Sequence, residues 1–339
     1  MAEYIKNDKA KREVKISYSK LSTLDSCGWK YHLTYDEGLY FGDASLSNEF
    51  GTLVHYIEQQ IGIAICNGEK IDYEKLKQDF QTINLPKTSK YDHNGDVFGI
   101  NILKEKYGEE FYKTDDRGRS FYTKANDYMD YGMYRLEKYL KENPNLELRA
   151  MEKYFSITID GYVFSGYIDR LLYDNATDTY VIEDIKTRDK LFSDEDLVTP
   201  LQFVIYVLGL RSVFGDENEE INFICKYDLP LCGQRQSAGT KGYMKRGEEK
   251  IKKLLNKIKE KDYAPHPSPL CYWCTFGAQN PHIKEAALGY CPYYSLWTPE
   301  NRSHSVANKW LGLDHHDIII QKEKDKIELR KKFDVDFDF

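Results

Sequence analysis

Asp169, Asp184 and Lys186 are the residues around which chemistry can be built. Asp169 lies in SGYIDRLLY, and Asp184 and Lys186 lie in YVIEDIKT. Both segments read as β-strands, rich in β-branched and aromatic residues and separated by the turn sequence DNATD. Side chains of a strand alternate between faces, so Asp184 and Lys186 project to one side while Glu183 and Ile185 project to the other. Two carboxylates and an ammonium on one side of a sheet suit a hard cation such as Mg²⁺ or Mn²⁺. The oxygens hold the ion, and the lysine orients a water or offsets developing negative charge. A D-x-K is too short to separate this from an exposed ion pair in a hairpin. The elements that must position these residues therefore carry the weight.

The stretch Asn48 to Cys66 reads as a helix stopped by Asn67-Gly68, and its His55 and Glu58, three apart, share a face. A lone helical histidine is by default packed or solvated; acidic residues elsewhere give it a second reading as a metal ligand. From Leu146 the period changes. LELRAMEKYFSITI alternates as a strand, Asp160-Gly161 makes a tight turn, and VFSGYIDRLLY returns, so that three antiparallel strands end in YVIEDIKT. Glu152, in the first of them, is expected to face solvent rather than join the acidic group.

PLQFVIYVLGLRSVFG reads as a buried helix with Pro200 in its first turn. Gln202 and Tyr206, four apart, share a face and can reach one ligand or the strand carrying Asp184. INFICKYDLP is a further strand, with Cys225 a core thiol. LCGQRQSAGTKGYMKRG is expected to be a mobile basic loop, and GEEKIKKLLNKIKEKDY an amphipathic helix with a solvated lysine face, for which phosphate contact is the alternative.

Cysteine spacing marks a second candidate centre. Cys271, Cys274 and Cys291 form C-x2-C-x16-C-P, a metal-binding pattern one ligand short. Cys27, in the helical stretch ISYSKLSTLDSCGWKYHLTY, is a candidate fourth ligand and would staple the first helix to the end of the chain. His282 or His266 would instead complete a Cys₃His zinc site.

The bulk properties exclude little. A net charge of −7 lowers the prior for a nucleic-acid partner only modestly, because phosphate affinity depends on local patches. Seven cysteines without a secretory signal argue against a disulfide framework. The N-terminal residues have no apolar leader and no later run reads as a membrane span, so a cytoplasmic protein is expected. Tyr122, Tyr128, Tyr131, Tyr134 and Tyr139 could stack on bases but are expected to be half-buried core. His315-His316 reads as surface. The acidic C-terminal tail reads as disorder, with a docking peptide for a protein partner as the alternative.

Taken together, these pieces resemble the RecB-like branch of the PD-(D/E)XK nuclease superfamily. The nearer likeness is to the iron-sulfur form in AddB-type nuclease domains and in CRISPR-associated or phage single-strand exonucleases. The match runs in order through SYSKLSTLDSCGWKY, GTLVH, SGYIDR, VIEDIKT, Gln202-x3-Tyr206 and the cysteine knuckle with its CPYY. The resemblance implies a restriction-endonuclease-like α/β core with a central mixed sheet flanked by helices. It implies that His55, Asp169, Asp184 and the backbone carbonyl of Ile185 bind Mg²⁺ or Mn²⁺. Lys186 would act on the attacking water, and Gln202 and Tyr206 would shape the site. Cys27, Cys271, Cys274 and Cys291 would hold a structural [4Fe-4S] cluster.

On this reading residues 1–145 are a helical region carrying Cys27 and His55, residues 146–265 the nuclease core, and residues 266–339 the metal-cluster region and tail. The expected activity is metal-dependent exonucleolytic hydrolysis of DNA, single-stranded or with free ends, in recombination, repair or phage DNA metabolism. A non-catalytic nucleic-acid-binding module and a sequence-specific endonuclease are the alternatives. Gly28 follows Cys27 where the family often has proline. The gap between Cys274 and Cys291 is longer than usual, which keeps Zn²⁺ open. No G-x4-G-K-[S/T] loop is present, so an accompanying ATP-driven motor is not expected in this sequence.

Overall fold

A computed structural model describes residues 15–38, 45–84, 97–214, 221–268, 270–271, 274–276 and 291 of the 339. They form two compact units, one of residues 15–18 and 45–253, the other of residues 19–38 with the described residues from 254 onward. In chain order the elements are β1 (Lys15–Ile16), α1 (Tyr18–Ser26), α2 (Gly28–Tyr31), α3 (Leu46–Cys66), α4 (Tyr73–Gln81), β2 (Ile83–Asn84), β3 (Val97–Phe98), α5 (Ile100–Tyr107), α6 (Glu109–Tyr112), α7 (Phe121–Asp130) and α8 (Arg135–Glu142). There follow β4 (Leu146–Ile159), β5 (Tyr162–Asp174), β6 (Thr179–Ile185), α9 (Asp194–Val198), α10 (Leu201–Phe214), β7 (Phe223–Leu229), β8 (Gln234–Ala238) and α11 (Tyr243–Glu260).

Among the described residues, six strands make one mixed sheet. β4, β5 and β6 are antiparallel in succession, β7 runs parallel to β6, β8 antiparallel to β7, and β1 lies parallel on β5. The parallel β6–β7 pair needs a crossover, which α9 and α10 supply. This is the mixed α/β architecture expected from the sequence. The β4–β5 turn has Asp160 at φ 49° and Gly161 at φ 82°, the pair of positive angles that a two-residue type I′ turn requires. From that turn the pairing runs in step from Ile159 opposite Tyr162 to Met151 opposite Arg170.

Helix α3 is pinned by its pattern and its cap. The Ser45 hydroxyl accepts the Asn48 N–H at 3.2 Å, and Leu46, Phe50, Leu53, Val54, Ile57 and Ile61 recur at helical spacing and are all buried. Each such side chain contributes roughly 1.5–3 kcal/mol on burial. Leu148, Leu172 and Val181 of the sheet join them, together with Phe80, Leu103, Tyr128 and Leu136 from α4, α5, α7 and α8. Gly62 lets α3 approach β4, since a Cβ there would meet the Met151 side chain at 2.2 Å. α10 is apolar all round and sits close on β4, where a Cβ at Gly209 would be 2.6 Å from the Phe155 ring. By length and composition alone, Asp194–Val213 would suffice to cross a membrane, contrary to the reading above; half of it is buried in the protein.

Two expectations for this unit change. The segment taken as a mobile basic loop contains β8, in which Arg235 pairs across from Asp228. Of the five tyrosines, Tyr128 is fully buried and Tyr134 and Tyr139 pack against the helical core, but Tyr122 and Tyr131 are exposed.

In the second unit α1 and α2 are separated by Cys27, and a π-helical turn follows at His32–Asp36. The rings of Tyr31 and His32 lie 5.4 and 5.5 Å from that of Tyr263. Gly28 fits because a Cβ there would come within 2.7 Å of the Ala264 carbonyl oxygen, so no other residue is accommodated at this point. His282, His315, His316 and the acidic tail lie outside the described residues.

Candidate active site

Strands β5 and β6 bring the two aspartates together. Asp169 is nearly buried, and its Oδ2 accepts the Ile185 N–H at 2.8 Å, so the carboxylate is tied to the neighbouring strand. Asp184 is wholly buried. Its Oδ1 accepts the Gln202 Nε2–H at 2.7 Å and faces the Tyr206 hydroxyl at 3.3 Å, while its Oδ2 lies 2.5 Å from Lys186 Nζ. Gln202 also donates to the Tyr206 oxygen at 2.8 Å, so one face of α10 fixes one oxygen of Asp184. Lys186 follows the last residue of β6, and its backbone N–H is held by the Asp228 carbonyl at 2.9 Å.

α3 delivers His55, whose Nδ1 lies 3.7 Å from Asp169 Oδ2. Glu152 of β4 comes to the same place: ligand atoms of His55, Glu152 and Asp169 all lie within 4.8 Å of one another. This corrects the expectation that Glu152 faces solvent. Counting outward from the Asp160-Gly161 turn sets Glu152 opposite Asp169, a signal available from the sequence. Glu152 also has a φ of 50°, an angle that non-glycine residues seldom adopt and that recurs at functional sites. One imidazole nitrogen and carboxylate oxygens at this spacing are a donor set that fits a hard divalent cation.

The electrostatics follow from burial. Desolvation pushes Asp184 up to about 6, against the pull of Lys186, and nearby Asp169 adds to the rise. Burial acts to lower Lys186 but is overcome by Asp184 and Asp169, which leave its ammonium raised. Tyr206 is raised well above the usual phenol range by burial and by the two aspartates, so it stays a neutral hydroxyl. The site thus keeps a charged lysine against a carboxylate that can still take up a proton.

Glu183 and Arg170, the strand neighbours of the two aspartates, belong to a separate buried network. Arg170 donates to Glu183 at 2.6 Å, to Asp228 at 2.8 Å and to Glu58 at 2.6 Å. Arg235 donates to Glu183 at 2.8 Å and Arg135 to Asp228 at 2.7 Å, while the Tyr128 hydroxyl donates to Glu58 at 2.9 Å. Glu58 lies one turn after His55. The network therefore fastens the imidazole-bearing helix to the strands that carry the carboxylates.

In the second unit Cys27, Cys271, Cys274 and Cys291 line one cavity of about 180 Å³ together with Trp29, Leu33 and Phe276. Backbone N–H groups of His266 and Ser268 donate to the sulfurs of Cys27 and Cys271 at 3.4 and 3.3 Å. Burial raises the Cys271 thiol, the Ser268 amide opposes this, and neighbouring Cys27 and Cys274 raise it further. His266 lines the same cavity.

A helix-flanked mixed sheet presenting a His/Asp/Glu group beside an Asp–Lys pair has the form of a metal-dependent nuclease. The sequence profile of the PD-(D/E)XK nuclease superfamily matches residues 15–279, and the chain belongs to that superfamily. Its core is accordingly restriction-endonuclease-like. The crystal structure of a "putative exonuclease" from Eubacterium rectale is similar at 13% identity, covering 77% of this chain and 86% of that one, with a TM-score of 0.39. The crystal structure of SSO0001 is similar at 15% identity, covering 78% and 84%, with a TM-score of 0.31. Neither score carries an argument, and the assignment rests on the family match. Comparison with curated proteins found no match.

Proposed function

We propose that this protein is a Mg²⁺- or Mn²⁺-dependent exonuclease that hydrolyses DNA from free ends. The observation that carries the reading is the convergence of His55, Asp169 and Glu152 beside the Asp184–Lys186 pair. His55, Asp169, Glu152 and Asp184, with the Ile185 carbonyl, would hold the cation, which would polarise the scissile phosphate and offset the charge that builds on it. Lys186 donates hydrogen bonds that orient the attacking water and neutralise negative charge in the transition state. Gln202 and Tyr206 hold one oxygen of Asp184 and so fix the direction of the other. DNA recombination, repair or phage DNA metabolism is the setting this activity suits, with the acidic tail as a docking peptide for a protein partner.

For the cysteine cavity the reading is a structural [4Fe-4S] cluster held by Cys27, Cys271, Cys274 and Cys291. Four sulfurs line one space, amide N–H groups point at two of them, and the volume exceeds by an order of magnitude the roughly 10–15 Å³ that one water-sized occupant needs. Zinc is the alternative.

The test is degradation of end-labelled linear DNA with and without Mn²⁺. Metal-dependent shortening is expected for the wild-type protein. Asp184→Ala and Lys186→Ala should both lose it while keeping the wild-type circular dichroism. Undiminished cleavage by both variants refutes the assignment; a gel shift without shortening points to a binding module, and cutting of circular DNA to an endonuclease.

A further inference from the structure

We propose that Arg188 is a binding residue for the substrate backbone, its guanidinium holding the phosphodiester next to the one hydrolysed at the Asp184–Lys186 pair. The proposal rests on the nuclease reading for its setting. Its binding test does not.

Arg188 ends a stack of side chains that is rooted beside Asp184. Tyr227 of β7 is the direct register partner of Asp184, and paired residues of neighbouring strands project to the same side of a sheet. Two contacts agree with this placement. The Tyr227 ring lies 4.8 Å from that of Phe203 on α10, the helix whose Gln202 holds Asp184. Burial first, and then the charge of Asp184, raise the Tyr227 phenol. On Tyr227 stacks the Phe192 ring, at 4.1 Å and 26°, and the Arg188 guanidinium lies 4.0 Å from the centre of the Phe192 ring. Arg188 is also only two residues beyond Lys186, so their Cα atoms are at most about 7 Å apart.

The surroundings hold Arg188 in place without neutralising it. Gln236 of β8 fixes Phe192, accepting its N–H at 2.7 Å and donating to its carbonyl at 3.3 Å. The Cys232 thiol donates to the Arg188 carbonyl at 3.5 Å. The next residue, Asp189, is paired with Arg117 at 2.6 Å, Lys124 at 3.4 Å and Arg119 at 3.6 Å, which ties the loop to the start of α7. The Arg188 guanidinium itself donates to the Leu191 carbonyl at 3.1 Å, and among the described residues no carboxylate pairs with it. A half-buried, permanently charged fork with N–H groups to spare matches the oxygens of a phosphate. Lys186 and the metal ligands engage the scissile phosphate, so the anion left for Arg188 is its neighbour on the same strand.

The experiment measures binding of a fluorescent DNA oligonucleotide in EDTA, without metal, by the wild-type protein, Arg188→Ala and Arg188→Lys over a series of KCl concentrations. Arg188→Ala should bind about tenfold more weakly at low salt, and the slope of log affinity against log salt should shrink by about 0.7–0.9, the share of one phosphate contact. Arg188→Lys should keep the wild-type slope and recover part of the affinity, since it restores the charge without the fork. With Mn²⁺ present, Arg188→Ala should raise KM about tenfold with little change in kcat. A neutral methylphosphonate at the second linkage from the digested end should raise the wild-type KM as much, and that of Arg188→Ala no further, because both changes remove the same contact. Wild-type affinity and slope in Arg188→Ala, with a lower melting temperature, would make the arginine a cap on Phe192 and overturn the proposal. So would a loss confined to oligonucleotides with a phosphorylated end, which would give Arg188 a terminal phosphate instead. A wild-type protein that binds DNA but cuts none would sink the nuclease reading, while the EDTA comparison would still decide the phosphate contact.

Discussion

Arg170 and Glu58 form a fully buried ion pair, 2.6 Å long, that joins β5 to α3. Burial acts to lower the guanidinium, and Glu183, Asp228 and Glu58 together overcome it; for Glu58 burial outweighs Arg170 and leaves the carboxyl raised. The pair is thus held by geometry as much as by net attraction, as expected where desolvation rivals the Coulomb gain. Glu58→Ala should cost about 3 kcal/mol in urea unfolding, because it leaves part of a buried guanidinium unpaired. It should also weaken Mn²⁺ binding measured calorimetrically, since His55 is one turn away on the same helix. A variant that loses stability but binds Mn²⁺ as wild type would show that the network does not position His55.

Asp228 gives the same network a pH signature. Burial acts to raise this carboxyl, but Arg235, Arg170 and Arg135 overcome that and hold it down to about 2, against an ordinary 3.8. The folded protein therefore binds this proton less readily than the unfolded chain. Its contribution, roughly 2 kcal/mol, is present above about pH 4 and disappears as pH falls to about 2. Asp228→Asn should be less stable than wild type at pH 6, and the gap should narrow steadily below pH 4 in urea titrations. A gap independent of pH would mean that the charge of Asp228 is not what stabilises the fold.

Glu152 separates backbone strain from ligation. Its left-handed φ disfavours any residue with a Cβ, whereas glycine adopts it freely. Glu152→Gly should then leave thermal stability unchanged or raise it by up to about 1 kcal/mol, although glycine at an ordinary strand position lowers it. Mn²⁺ affinity should fall about tenfold as a carboxylate leaves the His55–Asp169 group. Calorimetric titration beside a melting curve reads both, and a fall in stability with unaltered metal affinity would contradict both halves.

How much of this was legible in the sequence depended on the range of the interaction. The β4–β5 turn, the α3 terminus and the apolar character of α10 are set by residues within a few positions of one another, and the letters carried them. The adjacency of Asp169 and Asp184 needed only strand pairing across one short turn. The Arg170 network was not legible, because its partners lie on α3, β6, β7, β8 and α8 and no local pattern marks a long-range buried salt bridge. β8 was missed because Gln234–Ala238 has neither alternation nor β-branched residues; its pairing with β7 makes it a strand. Glu152 was within reach, but solvent is the usual fate of a strand glutamate, and default burial outweighed the register.

The cysteines offer a prediction independent of nuclease activity. Protein purified without air should be brown, with broad absorption near about 400 nm that bleaches on reduction, as iron-sulfur centres show. Cys27→Ser should lose colour and iron together, since Cys27 shares the cavity with Cys271, Cys274 and Cys291. The variant should also melt lower, because a centre ligated from residue 27 and from residues 271 to 291 closes a loop of more than two hundred residues, and ligand binding to the folded form is folding free energy. Colourless protein with one zinc per chain would replace the cluster by a Cys₄ or Cys₃His zinc site. His266, whose backbone already touches Cys27, then becomes the residue to change: loss of zinc from His266→Ala with retention in Cys27→Ser would identify histidine as the fourth ligand.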